Sequence, residues 1–110
     1  MVRIDDENGL KKQVLETKGV LLVNFWSDWS IQCRDMSYVM YNIRTLLEDK
    51  DAIAYIDWHY QKELAQKLEV FGVPTLIIYG CGEELARFSG TLNEITLLGR
   101  VDNVKKKLKF

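Results

Sequence analysis

The sequence predicts an α/β fold in three layers, with helices covering both faces of a central mixed sheet of four to five strands. Three observations carry that prediction. Short apolar runs rich in β-branched and aromatic residues alternate with stretches whose apolar residues recur at helical spacing. The runs separated by a helix-length stretch require crossover connections and therefore parallel pairing, whereas the last two runs are separated only by Gly80-Cys81-Gly82, a hairpin turn. The chain has 110 residues, 47% of them hydrophobic, which fits one compact domain over residues 1–110 with a core that needs no metal or disulfide staple.

Each element has its own signal. Val2-Arg3-Ile4 offers a short first strand. Asn8 to Lys18 reads as a helix with Leu10, Val14 and Leu15 on one side, stopped by Gly19. Val20 to Trp26 is a continuous apolar run, the pattern of a strand buried on both faces. A second helix is expected from Ser30 to about Glu48, because Met36, Val39, Met40, Ile43 and Leu47 fall at i, i+3, i+4, i+7 and i+11. Ala52 to Asp57 is the next strand, and Gln61 to Phe71 the next helix, with Leu64, Ala65, Leu68 and Phe71 as its stripe. Gly72-Val73-Pro74 breaks that helix before the strand Thr75 to Tyr79. The glycines of the following turn permit positive φ and lead into a strand at Leu85 to Ser89. Leu97, Val101, Val104 and Leu108 mark a last helix from about Asn93. Its final turn carries Lys105, Lys106, Lys107 and Lys109, read as solvated cations favoured by the helix dipole.

Composition removes several function classes. Fifteen Lys plus Arg against sixteen Asp plus Glu give a net charge of −1, which disfavours a nucleic-acid partner. No window approaches twenty apolar residues, so no membrane span or membrane partner is expected. The start Met1-Val2-Arg3-Ile4-Asp5-Asp6-Glu7 is acidic and lacks an apolar h-region, so the expected compartment is the cytoplasm and its two cysteines are expected to be reduced thiols. His59 is the only histidine and no ligand pair has zinc spacing, so neither a metal nor another cofactor is expected.

The chain resembles the thioredoxin family at Phe25-Trp26-Ser27-Asp28-Trp29-Ser30-Ile31-Gln32-Cys33, where that family has a buried strand followed by Trp-Cys-Gly-Pro-Cys opening a long helix. The resemblance continues through Gly72-Val73-Pro74-Thr75, matching the family's cis-proline loop, and through the Gly80–Glu83 turn to Ser89-Gly90. It implies a thioredoxin fold and a thiol–disulfide redox ancestry. It also implies a cis bond at Pro74 and a client-binding surface from Trp29, Ile31, Gln32, Val73, Pro74 and Gly90. That surface would hold an extended protein segment or a thiol-bearing client by strand-like pairing.

The departures are as informative. Ser30 stands where the family has its attacking cysteine, and Ile31-Gln32 replaces Gly-Pro. Cys33, the second cysteine, remains. The family's buried Asp becomes Asn24, its Lys partner becomes Tyr55, and its helix proline becomes Tyr38, which implies a straighter helix. Disulfide reduction needs an attacking thiolate and a second thiol that resolves the mixed disulfide. Ser30 cannot form an S–S bond, but it suits a helix N-cap; a hydroxyl that recognises a thiol ligand is the alternative. Cys33 is either a residual exchanging thiol or a small buried hydrophobe. Trp29 is either an exposed platform or an ordinary half-buried aromatic. Asn24 has the shape of Asp but takes no proton at neutral pH. A bridge from Cys33 to Cys81 is rejected: seven residues of strand and turn beyond Pro74 place Cys81 on the order of 20 Å away, whereas a disulfide needs Cα atoms within about 7 Å. The expected function is reduced or single-thiol exchange through Cys33, or a redox-inactive protein-binding module using Trp29 and Pro74.

Overall fold

A computed structural model describes residues 1–108. The elements follow the expected order: β1 (Val2–Arg3), α1 (Glu7–Glu16), β2 (Leu21–Trp26), α2 (Ile31–Ile43), β3 (Ala52–Asp57), α3 (Lys62–Lys67), β4 (Thr75–Gly80), β5 (Glu83–Ser89) and α4 (Glu94–Lys107). Lys109 lies outside the described residues. The five strands form one sheet in the order β1-β3-β2-β4-β5, parallel from β1 through β2 and antiparallel from β2 to β5.

Strand β2 sits at the centre and feeds both cores. Leu21, Val23 and Phe25 point to one face, where Leu10 of α1 and Leu64 and Ala65 of α3 cover them. Val20 and Leu22 point to the other, against Met36, Val39, Met40 and Ile43 of α2 and Leu97, Val101 and Val104 of α4. Each such Leu, Ile or Phe contributes about 1.5–3 kcal/mol on burial. This two-sided covering explains the uninterrupted apolar runs: in a sheet with helices on both faces, neither side of a central strand meets water.

Several expectations need correction. Leu15 is 79% exposed; α1 buries Leu10 and half-buries Val14, and ends at Glu16 with Thr17 as C-cap in extended backbone. Gly19 is required for close approach, since a Cβ there would lie 2.1 Å from an Asp51 carboxylate oxygen. That carboxylate accepts from the Val20 and Glu48 N–H groups and ties the start of β2 to the turn before β3. Helix α2 ends at Ile43, and Arg44 to Leu46 continue as turns with i→i−3 bonds, which preserve the apolar spacing that suggested a longer helix. Helix α3 ends at Lys67; Glu69 adopts φ +59°, Val70 donates back to Ala65 O, and the chain reverses so that Val70 is buried and Phe71 is 78% exposed. In the hairpin, positive φ falls on Cys81 and Gly82, the pattern of a type I′ turn. Gly80 is instead a strand residue whose Cβ would meet Leu85 Cδ1 at 2.7 Å. Lys105 is not merely solvated: its ammonium bridges Glu48 and the fully buried side chain of Asp51.

Candidate functional site

The site forms where β2 runs out and α2 begins. Ser30 has extended backbone (φ −100°, ψ 122°), and its Oγ accepts from the Cys33 N–H at 3.2 Å, closing the first turn of α2. Its hydroxyl also lies 3.4 Å from Gln32 Oε1, to which it donates. The Ser side chain therefore serves the helix end, where free N–H groups need acceptors. Three residues on, Cys33 falls on the inward stripe with Met36 and is only 1% exposed. Its Sγ accepts from the Ser27 N–H at 3.4 Å. No side chain of the sequence signals this contact, because the donor is backbone.

Asn24 and Tyr55 are directly opposed across the β2–β3 ladder, with Tyr55 also edge-on to Trp26 at 6.4 Å between ring centroids. Asn24 is 4% exposed, and its Oδ1 has no hydrogen-bond partner among the described residues. Trp26 Nε1 and Ser27 Oγ are likewise buried without a partner. A carboxylate at position 24 would stand there with no cation opposite it; the amide avoids that charge.

On the outer side, Trp29 is 63% exposed and Ile31 66% exposed, and Gln32 is exposed. Trp29 packs edge to face on Trp58 at 6.4 Å, and Trp58 Nε1 donates to Val70 O at 3.0 Å. Trp58, not foreseen from the sequence, thus connects the Trp29 platform to the loop that leads to Pro74; its only signal was an aromatic just past a strand end. The Val73–Pro74 peptide bond is cis. Pro74 O accepts from Gly90 N–H at 2.9 Å, and Gly90 needs the positive φ of +89° that glycine adopts without strain. Thr91 Oγ1 then donates to Gln32 O at 3.4 Å. Gly90 and Thr91 therefore join the Pro74 loop to the start of α2. The Val73 N–H and C=O have no hydrogen-bond partner among the described residues. Cys33 and Cys81 are both free, the first buried and the second exposed.

A mixed sheet with α2 opening beside a cis-proline loop defines a protein of thioredoxin fold. The chain belongs to the thioredoxin family, whose family model, Thioredoxin, matches residues 1–103. It is similar to a thioredoxin of Rhodospirillum rubrum, 29% identical over 102 residues that cover 93% of this chain and 97% of the relative. A Mycobacterium tuberculosis thioredoxin is 28% identical over 95 residues, 86% of this chain and 82% of the relative. Among solved structures, Fasciola hepatica thioredoxin superposes with a TM-score of 0.86 at 27% identity, covering 96% of this chain and all of that one. A thioredoxin variant from Halobacterium salinarum gives 0.81 at 28% identity, covering 94% of this chain and 89% of that one.

Proposed function

We propose that this thioredoxin-family chain binds an extended segment of a cytoplasmic protein client on the surface formed by Trp29, Ile31, Gln32, Val73, Pro74 and Gly90, and that it does not run a dithiol redox cycle. The observation that carries the reading is the state of the α2 start. Ser30 Oγ is engaged as the helix cap, while Cys33, the one thiol at the start of α2, is 1% exposed. The exposed Trp29 and Ile31 and the unpaired Val73 backbone supply what strand-like capture of a client needs, and none of them requires a thiol.

A second reading rests on the Ser27 N–H bonded to Cys33 Sγ and on the groove that Cys33 lines together with Ser27, Ser30 and Arg34. In single-thiol exchange, the Cys33 thiolate attacks a client disulfide, forms a mixed disulfide and releases one client thiolate. A second thiol from outside the chain must then attack the mixed disulfide and regenerate Cys33. Ser30 cannot serve as that second group.

Insulin disulfide reduction with dithiothreitol as reductant tests the proposal. The unmodified protein is expected to leave the rate at background, and Ser30→Cys to raise it. Turnover by the unmodified protein at the Ser30→Cys rate would overturn the proposal. Alkylation of Cys33 by iodoacetamide without denaturant separates the two readings: slow labelling favours client binding alone, and fast labelling favours single-thiol exchange.

A further inference from the structure

We propose that Arg87 is the positioning residue of the client surface: held by Glu84, it fixes the chain reversal at Glu69 and so sets where Val73 presents its free backbone groups. This role presupposes the client-binding reading above and adds the group that keeps that surface in shape.

The segment between α3 and β4 has no ladder of its own, yet several of its carbonyls are pinned by side chains. Arg87 Nη1 donates to Glu69 O at 2.9 Å, Trp58 Nε1 to Val70 O at 3.0 Å and Thr75 Oγ1 to Gly72 O at 2.7 Å. Val73, among them, keeps its N–H and C=O unpaired among the described residues. A segment whose neighbours are pinned while its own groups stay free is pre-organised to receive a strand, because little freedom is left to lose on binding. Arg87 acts at the least comfortable point of the segment. Glu69 has φ +59°, a region that residues other than glycine enter only at a cost. The guanidinium on its carbonyl holds it there.

The sheet is irregular where it supplies Arg87. Residues three apart on a regular strand point to opposite faces. Between β4 and β5 the register shifts: Tyr79 pairs with Glu84 but Ile78 with Ala86, which leaves Leu85 as an extra residue. This bulge sets Glu84 opposite Tyr79 and Arg87 opposite Ile77, both on the face that α1 and α3 cover. The two side chains therefore meet. Glu84 accepts from Arg87 Nε at 2.9 Å and from Nη2 at 2.8 Å, a fork that fixes the guanidinium plane and leaves Nη1 for Glu69 O. Without the extra residue, Glu84 and Arg87 would lie on opposite sides of the sheet. Trp58, which holds the next carbonyl, also packs on Trp29. A shift at Glu69 thus reaches both the Val73 edge and the Trp29 platform.

The test titrates the full chain with insulin B chain whose cysteines are carboxymethylated, an extended probe that cannot exchange disulfides, and follows tryptophan fluorescence. The unmodified chain is expected to bind saturably. Arg87→Met should weaken binding at least about tenfold, since the segment must then be ordered at the moment of binding. Glu84→Ala should act in the same direction, and the double variant should lose no more than Arg87→Met alone, because both act through one contact. Lys105→Met, which breaks the ion pair to Asp51 instead, controls for lost stability and should leave the affinity unchanged. In ¹⁵N NMR of the free protein, Arg87→Met should move the Val73 amide and Trp58 indole resonances. Unchanged affinity in Arg87→Met, additive losses in the double variant, an equal loss in Lys105→Met or an unmoved Val73 resonance would overturn the proposal. Absence of binding by the unmodified chain would instead overturn the client-binding reading, and the role of Arg87 with it.

Discussion

Replacing Asn24 by Asp puts a carboxyl group where the sheet has buried an amide. The side chain at this position is 4% exposed, its Oδ1 has no partner, and Tyr55 stands opposite it in register. The expected consequence is a large rise in the new acid's folded pKa, since burial disfavours the charged form by up to about 3–5 units. With an unfolded value of about 3.9 and a rise of about 3 units, the folded value reaches about 7. A raised acid pKa means that the folded state holds its proton longer than the unfolded state. Stability relative to the unmodified chain is then nearly unchanged below pH ~3.9 and falls as pH rises from there through the folded value. Each unit is worth about 1.36 kcal/mol, so the loss at pH 7 is about 4 kcal/mol, a large share of the ~5–15 kcal/mol of a typical domain. Urea unfolding followed by tryptophan fluorescence, run on both proteins at pH 4 and pH 7, measures it. A difference between the two proteins that is the same at both pH values would refute the reasoning and would mean that the carboxylate is solvated or paired.

Two further outcomes test the cap and the buried ion pair. Ser30→Ala should cost about 1 kcal/mol in urea unfolding and Ser30→Gly only a few tenths; no loss in the Ala variant would mean that the hydroxyl bonded to Cys33 N–H does not cap α2. Lys105→Met removes one partner of the Asp51 carboxylate, which keeps the Val20 and Glu48 N–H groups, and should cost about 1.5–3 kcal/mol. Burial pulls the Lys105 ammonium down, but its hydrogen bonds to Asp51 and Glu48 outweigh this and hold it above its ordinary 10.5. The gap between the unmodified chain and Lys105→Met should thus be full below pH 10.5 and close as pH rises through the raised folded value. A gap that stays constant to pH 12 would contradict that linkage.

Much of the fold was legible because apolar spacing is a local property. The stripe of Met36, Val39, Met40 and Ile43 and the two-sided run of β2 each name an element without reference to its neighbours. Errors came where the chain leaves an element while the spacing persists. Phe71 continued a helical stripe, yet the reversal at Glu69 turned it outward and Val70 inward. Leu47 fitted the period of α2, yet the helix had already given way to turns. Gly19 and Gly80 read as conformational punctuation, and both proved to be positions where a neighbour occupies the space of a Cβ.

At the site, the sequence settled which atoms are present. It holds one sulfur at the start of α2, an oxygen where a second would be, and an amide in the sheet behind them. No arrangement of the chain can add a thiol, so this much is fixed before folding. What the atoms face is decided only by packing elements distant in sequence. The cap engages Ser30, backbone Ser27 reaches Cys33, Trp58 supports Trp29, and β3 brings Tyr55 beside Asn24 without giving its oxygen a partner. Exposure and hydrogen-bond satisfaction depend on every neighbour within a few ångströms, and a one-dimensional pattern does not contain them.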